Sequence, residues 1–324
     1  MCTAITLQTG DHYFGRTLDY DRTWGEEVTV TPRHFPLAFR HCPPLSDHYA
    51  MIGMAHVADG YPLYYDGVNE KGLAMAGLNF VGNARYLPPV QGKSNVAQFE
   101  AIPFLLGQCA TLEEAKDMLA GMNLTDTPFS DRLPAAQLHW IIADRTGAIT
   151  LESTVHGIRV HENPAGVLTN NPPFDQQMWN LSNYLNLSAA EPENRFSDRI
   201  RLDPCSRGMG AMGLPGDLSS PSRFIRAAFT RLNSVSGPGE EESVSQFFHI
   251  LDTVSQVRGC CRLGRDVFEI TQYTSCCNTS RGIYYYTTYE HRRISCVEMG
   301  REDLESAELI RYPLNRQPGV FRHN

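Results

Sequence analysis

The chain has 324 residues, 42% of them hydrophobic and 10% aromatic, which is enough to bury a large core and too apolar for a disordered polymer. Its formal charge is −8, from 28 basic and 36 acidic residues, and the longest basic run is the pair Arg292-Arg293, so no nucleic acid partner is expected. No apolar run reaches the roughly 18 residues of a membrane span and no lysine or arginine precedes Arg16, so neither export nor stable membrane association is expected.

The first twenty-one residues organise the rest. Cys2 follows an initiator Met that can be trimmed when the next side chain is small, which would leave an N-terminal cysteine. Such a residue carries a nucleophile and a base on one Cα: the thiol attacks, and the α-amine, with an ordinary pKa near ~8, takes and returns the proton. Residues 3–8 alternate polar and apolar, Thr9-Gly10-Asp11 is turn chemistry, and residues 12–18 resume an extended pattern, so a hairpin is expected. It would fold Arg16 and Asp19 back toward residue 2. The plain alternative is a small residue in a frayed terminus beside a surface ion pair.

Further along, residues 27–32 alternate as a strand and 33–48 form a proline-containing connection. Residues 49–57 and 61–66 are apolar and aromatic, and the turn Gly67 to Gly72 leads to the small-residue run 73–79, suited to close sheet packing. A helix is expected over 96–106, and Thr111-Leu112-Glu113-Glu114 is a capping box opening a second that ends near Gly121. Residues 137–143 and 148–153 read as a hairpin, and Phe174, Met178, Leu181 and Tyr184 lie on one helical face, as plain core packing would have them. Residues 201–222, rich in Gly, Pro and Ser, read as a long ordered loop of functional character. Ser220-Pro221 starts a helix to about residue 232, residues 243–254 support another, and 268–275, 283–290 and 294–299 form a strand meander. Strands at both ends enclosing helices predict an α+β layered fold, with two sheets face to face between helical layers and no visible domain boundary.

Nine cysteines, Cys2, Cys42, Cys109, Cys205, Cys260, Cys261, Cys276, Cys277 and Cys296, make an odd set with two adjacent pairs and no C-x-x-C spacing. That argues against a disulfide framework and a zinc site, and fits a reducing cytoplasm.

Several separated pieces together resemble the choloylglycine hydrolases, the bile salt hydrolases and penicillin V acylases among the N-terminal nucleophile hydrolases. They are Met1-Cys2-Thr3, Phe14-Gly15-Arg16-Thr17-Leu18-Asp19, Asn69-Glu70-Lys71-Gly72-Leu73, Ala76-Gly77-Leu78-Asn79-Phe80, Gly166 to Pro172, Gly213 to Asp217, Ser222-Arg223-Phe224 and Thr271 to Ser275, in the family's order over nearly the whole chain. The resemblance implies a single domain with a four-layer αββα sandwich of antiparallel sheets, a homotetramer, and no cofactor or metal. By resemblance Cys2 is the nucleophile, Asp19 orients its α-amine, Arg16 lies against the thiol, Asn79 and Asn170 are oxyanion-side groups, and Arg223 is the remaining active-site cation. Asn170 could instead be an Asx turn with Asn171 functional, Asn79 a strand-end turn residue, and Arg223 a helix-start partner of Asp217.

Asparagine at position 79, where penicillin acylases tend to have tyrosine, favours conjugated bile salts over penicillin V. Leu18, Tyr20, Tyr61, Phe129 and Leu133 are candidates for an open apolar cleft. Ser206 and Arg207 replace a glycine-x-glycine of many relatives and add a cation suited to a taurine sulfonate. The rival readings are acyl transfer to an amine through the same acyl-enzyme, and a non-catalytic amphiphile-binding protein.

Overall fold

The computed structural model describes residues 1–320 and 322–324. Its first elements are β1 (Cys2–Gln8), β2 (His12–Tyr20), β3 (Glu27–Thr31), β4 (Met51–Ala58), β5 (Tyr61–Asn69), β6 (Ala74–Asn79) and β7 (Ser94–Ala97). Helices α1 (Ala101–Gln108) and α2 (Leu112–Ala120) follow, then β8 (Met122–Thr125), β9 (Leu138–Asp144), β10 (Gly147–Thr154), β11 (Gly157–Glu162) and β12 (Val167–Leu168). The second half holds α3 (Phe174–Asn180), α4 (Ser220–Asn233), α5 (Glu240–Asp252), β13 (Arg262–Gly264), β14 (Val267–Phe268), β15 (Ile270–Asn278), β16 (Ile283–Thr288), β17 (Ser295–Glu298) and β18 (Ile310–Pro313).

Two antiparallel sheets carry the fold. One has six strands in the order β12-β1-β2-β15-β16-β17, the other eight in the order β11-β10-β9-β6-β5-β4-β3-β18. Helices α4 and α5 cover the outer face of the first, with α3 against α4, and α1 and α2 cover the second, giving the αββα sandwich. One apolar cluster fills the space between the sheets and under α4 and α5, including Ala4, Phe14, Ile52, Val68, Phe224 and Phe247; a second, with Met51, Leu73, Leu105 and Trp140, lies beneath α1 and α2.

The N-terminal hairpin forms as its pattern predicts, with Cys2 opposite Leu18 and Ala4 opposite Arg16. Gly15 lets β2 approach β15: a Cβ there would lie 2.1 Å from the Ser275 carbonyl oxygen. Asp66 bridges the sheets, accepting from the Tyr273 hydroxyl at 2.8 Å and from the Tyr284 hydroxyl. Burial raises the Asp66 carboxyl above its usual range, while Arg16 and both tyrosine hydroxyls pull it back.

Half of the capping box of α2 forms, Thr111 accepting from the Glu114 N–H at 3.2 Å, but the Glu114 carboxylate reaches past Thr111 and accepts from the Ala110 N–H at 2.7 Å. The helix expected over 96–106 is different. Residues 94–97 form β7, paired in parallel with β8, and a 3-10 turn Gln98–Glu100 precedes α1. The Glu100 carboxylate accepts from the Ala97 N–H at 2.9 Å and the Arg40 N–H at 2.7 Å, fixing the turn before the helix starts. The face of Phe174, Met178, Leu181 and Tyr184 is split between α3 and a 3-10 turn, with Phe174 fully buried and the others packed at the core edge.

His12, at the turn end of the hairpin, is buried and its Nδ1 shares a 2.9 Å hydrogen bond with the Thr279 hydroxyl. Burial holds its pKa down at about 4. The folded state therefore prefers neutral His12, and stability present above pH 6.5 is lost as pH falls toward 4. At pH 4.5 this group alone costs about 2 kcal/mol relative to pH 7. Urea unfolding of wild type and His12→Gln across this range measures it: the substitution should flatten the slope.

Candidate active site

Cys2 is the first residue of β1, and the alternation of the strand pair divides its neighbours between two faces. Leu18 and Arg16 share the face that looks toward the eight-stranded sheet. Arg16 is fully buried there: its Nη1 donates to the Tyr65 carbonyl at 3.1 Å and to the Gly77 carbonyl, and its Nε donates to the Thr17 carbonyl at 3.2 Å. Its Nη2 is buried with no partner among the described residues. Burial opposes the charge of this guanidinium, but the Cys2 thiol, Tyr273, Asp66 and Asp19 together raise its pKa above the ordinary arginine value. Arg16 is a permanent cation beside the sulfur.

The other face looks toward the helix layer. Asp19, fully buried, accepts from the Thr271 hydroxyl at 2.6 Å and the Thr17 hydroxyl at 3.2 Å. Arg223, also fully buried, reaches down from the first turn of α4. Its Nη1 donates to the Cys2 carbonyl and to the Thr3 hydroxyl, both at 2.6 Å, and its Nη2 donates to Asn170 Oδ1 at 2.8 Å. Its Nη1 stands 4.0 Å from Asp19 Oδ2. Burial pulls the Arg223 pKa below its ordinary value, against the pull of Asp19 and Cys2. Arg223 does not pair with Asp217, which instead accepts from Ser219 and Ser222 at the start of α4.

Asn170 joins these groups. Its Oδ1 accepts from the Cys2 N–H at 2.8 Å, its Nδ2 donates to the Asn79 carbonyl at 2.8 Å, and its own N–H donates to the Ser220 hydroxyl at 2.8 Å. Asn171 turns away and donates to the Val81 carbonyl. A layer behind, His139 Nε2 bonds the Thr169 carbonyl at 2.9 Å, its Nδ1 meets Glu152 at 3.1 Å, and its ring stacks on Phe80.

With Met1 attached, the Cys2 nitrogen is an amide. The Met1 ammonium donates to the Asp19 carbonyl at 2.6 Å and forms an ion pair with Glu269, and the Asp19 N–H donates to the Met1 carbonyl at 2.9 Å. Burial lowers the pKa of that ammonium, with Arg223 and Arg16 acting in the same direction and Cys2 and Asp19 against it.

Cys2 opens into a cleft of about 380 Å³. Leu18, Tyr20, Phe129 and Leu133, the sequence candidates for the wall, line it, and so does Asn79. Tyr61 does not: it stands behind the wall, its ring 5.9 Å from Phe99 and 6.0 Å from Phe129. Leu63 and Tyr65 line the cleft from the same strand. Ser206 and Arg207 are exposed and lie outside this lining. Sequence reading missed Trp24, His56, Gln98 and Phe99; among these only the aromatic character of Trp24 and Phe99 was a signal.

A cysteine opening the first strand of an αββα sandwich, with its sulfur at the foot of a cleft, defines an N-terminal nucleophile amidohydrolase. Residues 2–312 match the model of the linear amide C–N hydrolases, choloylglycine hydrolase family, and the chain belongs to that family. It is 50% identical over 324 residues to the bile salt hydrolase/transferase of Lactiplantibacillus plantarum, covering 100% of both chains. The crystal structure of the C2A mutant conjugated bile acid hydrolase from Clostridium perfringens superposes with a TM-score of 0.92 at 37% identity, again over 100% of each chain. Penicillin V acylase from Agrobacterium tumefaciens shares the fold, with a TM-score of 0.75 at 20% identity over 96% of this chain and 90% of that one.

The bonds of Asn170 and Asn171 separate their roles. Asn170→Ala should lower kcat by about a hundredfold, since it frees both the Cys2 nitrogen and the Arg223 guanidinium. Asn171→Ala should change it by no more than about threefold. Steady-state rates on a shared amide substrate, with thermal melts of each variant, check this.

Proposed function

We propose that the chain hydrolyses the amide bond of glycine- or taurine-conjugated bile acids through a thioester on Cys2, acting as a single domain. The observation that carries this is a largely apolar cleft lined by Leu18, Tyr20, Phe129 and Leu133 together with Cys2, the buried first residue of β1. The names borne by the relatives above support the same substrate class.

In this mechanism Met1 is removed and the Cys2 nitrogen becomes an amine that still faces Asn170 Oδ1. The low-dielectric surroundings that lower the Met1 ammonium pKa would act on it too, favouring the neutral, proton-accepting form. The thiol gives its proton to the amine and sulfur attacks the carbonyl carbon. Negative charge developing on oxygen is met by Asn79, which lines the cleft, and by a backbone N–H, an effect typically worth a few kcal/mol. The amine then protonates the leaving nitrogen, and water cleaves the thioester by the reverse proton path. Arg16 favours the thiolate, Arg223 holds the Cys2 carbonyl, and Asp19 orients the freed amine. The relative named hydrolase/transferase supports a second reading, in which an amine replaces water at the thioester.

Two assembly and location proposals go with this. Trp179, Leu185, Phe196, Ile200, Leu202 and Met212 are each exposed within one stretch of chain, apolar side chains that a homotetramer would cover. All nine cysteines are unpaired, consistent with a reducing cytoplasm.

The proposal is tested with processed protein. Mass spectrometry should show Met1 absent, and taurocholate and glycocholate should be cleaved far faster than penicillin V. Cys2→Ala should abolish cleavage while retaining ligand binding. Activity with Met1 still attached, or penicillin V as the better substrate, would overturn the reading. Adding free amino acids with a conjugated donor and looking for new conjugates tests transfer.

We propose that the loop 201–222, whose Ser206 and Arg207 stand outside the cleft lining, sets head-group choice from the cleft's exterior. Arg207 carries an exposed guanidinium with no ion pair among the described residues, suited to a sulfonate. Arg207→Ala should lower the taurocholate to glycocholate ratio of kcat/KM by about fivefold; an unchanged ratio removes the assignment.

A further inference from the structure

Among the residues lining the cleft, two keep a buried polar atom with no hydrogen-bond partner among the described residues: Arg16, at Nη2, and Gln98, at Oε1. The first lies beside the nucleophile and is accounted for by the chemistry there. The second is not. Gln98 is 3% exposed and opens the 3-10 turn Gln98–Glu100, whose next residue, Phe99, packs edge-on against Phe129 at 5.3 Å.

Depth in the cleft follows from β5. Phe99 packs on Tyr61, four residues before Tyr65, whose carbonyl holds Arg16. At a rise of ~3.3 Å per residue, Tyr61 lies about 13 Å along β5 from Tyr65, so the turn Gln98–Glu100 that packs on it belongs to the part of the cleft away from Arg16. Phe99, Phe129 and Leu133 around that position are apolar. A buried amide oxygen left unmet there is costly, and a ligand hydroxyl would relieve the cost. A hydroxyl both donates and accepts, so it complements the Gln98 amide in either orientation of its oxygen and nitrogen.

We infer that Gln98 is a specificity-determining residue that accepts a hydrogen bond from a hydroxyl at the end of the acyl group remote from the scissile amide. This rests on the bile-salt reading, under which the group is the hydroxyl at carbon 3 of the steroid. Gln98 thus selects a hydroxylated ring over a merely apolar one, and the remaining walls supply contact without direction.

The test compares the taurine conjugate of the 3α-hydroxy cholanic acid with that of its 3-deoxy analogue. Wild type should show a kcat/KM about tenfold lower on the deoxy conjugate, because the analogue leaves the Gln98 oxygen unmet. In Gln98→Leu that ratio should collapse to about one, and the shape-matched Gln98→Met gives the same reading should the leucine variant fail to fold. Equal rates on the two conjugates with wild type, or a tenfold ratio persisting in Gln98→Met, would overturn the assignment and leave the bile-salt reading standing. Cleavage of neither conjugate by wild type would instead overturn that reading, and this assignment with it.

Discussion

The site depends on the clamp that Arg223 and Asn170 place on the first residue of β1. Chain termini ordinarily fray, because a terminal residue has few neighbours to offset its conformational entropy. Here the Cys2 carbonyl accepts from Arg223 and the Cys2 N–H donates to Asn170, whose oxygen also accepts from Arg223. The three groups come from β1, the loop after β12, and α4. A strand, a loop and a helix are thereby tied to one backbone position.

A buried guanidinium carries a desolvation cost of several kcal/mol unless its donors are met. Arg223 meets it with the Cys2 and Leu218 carbonyls, the Thr3 hydroxyl and Asn170, and Asp19 stands close by. Arg16 meets it less completely, with one terminal nitrogen unmet among the described residues. The two cations lie on opposite faces of the same hairpin, one held by the helix layer and the other by the facing sheet. This arrangement sets a buried cation on each side of the sulfur's strand.

Much of this was legible in the residues. The turn Thr9-Gly10-Asp11 and the period-two alternation around it specify the hairpin, and alternation alone puts Arg16 and Leu18 on one face and Asp19 on the other. The choice between Asn170 and Asn171 was not legible, since it is made by contacts with Cys2 and Val81 that are far away in sequence. Residues 94–108 misled because Val96 gains its place from a parallel partner in β8, which no local pattern reveals. Edge strands β11, β12 and β18 were also unread: they are short or exposed, and their pairing is set by neighbours. Most of the cleft wall belongs in the same category, because Gln98, Trp24 and His56 come from a 3-10 turn, a loop and β4 that meet only when the chain has packed.

The two bonds that Met1 makes with Asp19 bear on how the protein can be handled. Under the proposed mechanism the Cys2 nitrogen must be free, so an affinity tag or fluorescent fusion left on that side would yield a well-folded but silent molecule. Labels belong on the other end, where β18 lies at the outer edge of the eight-stranded sheet, on the far side of β3.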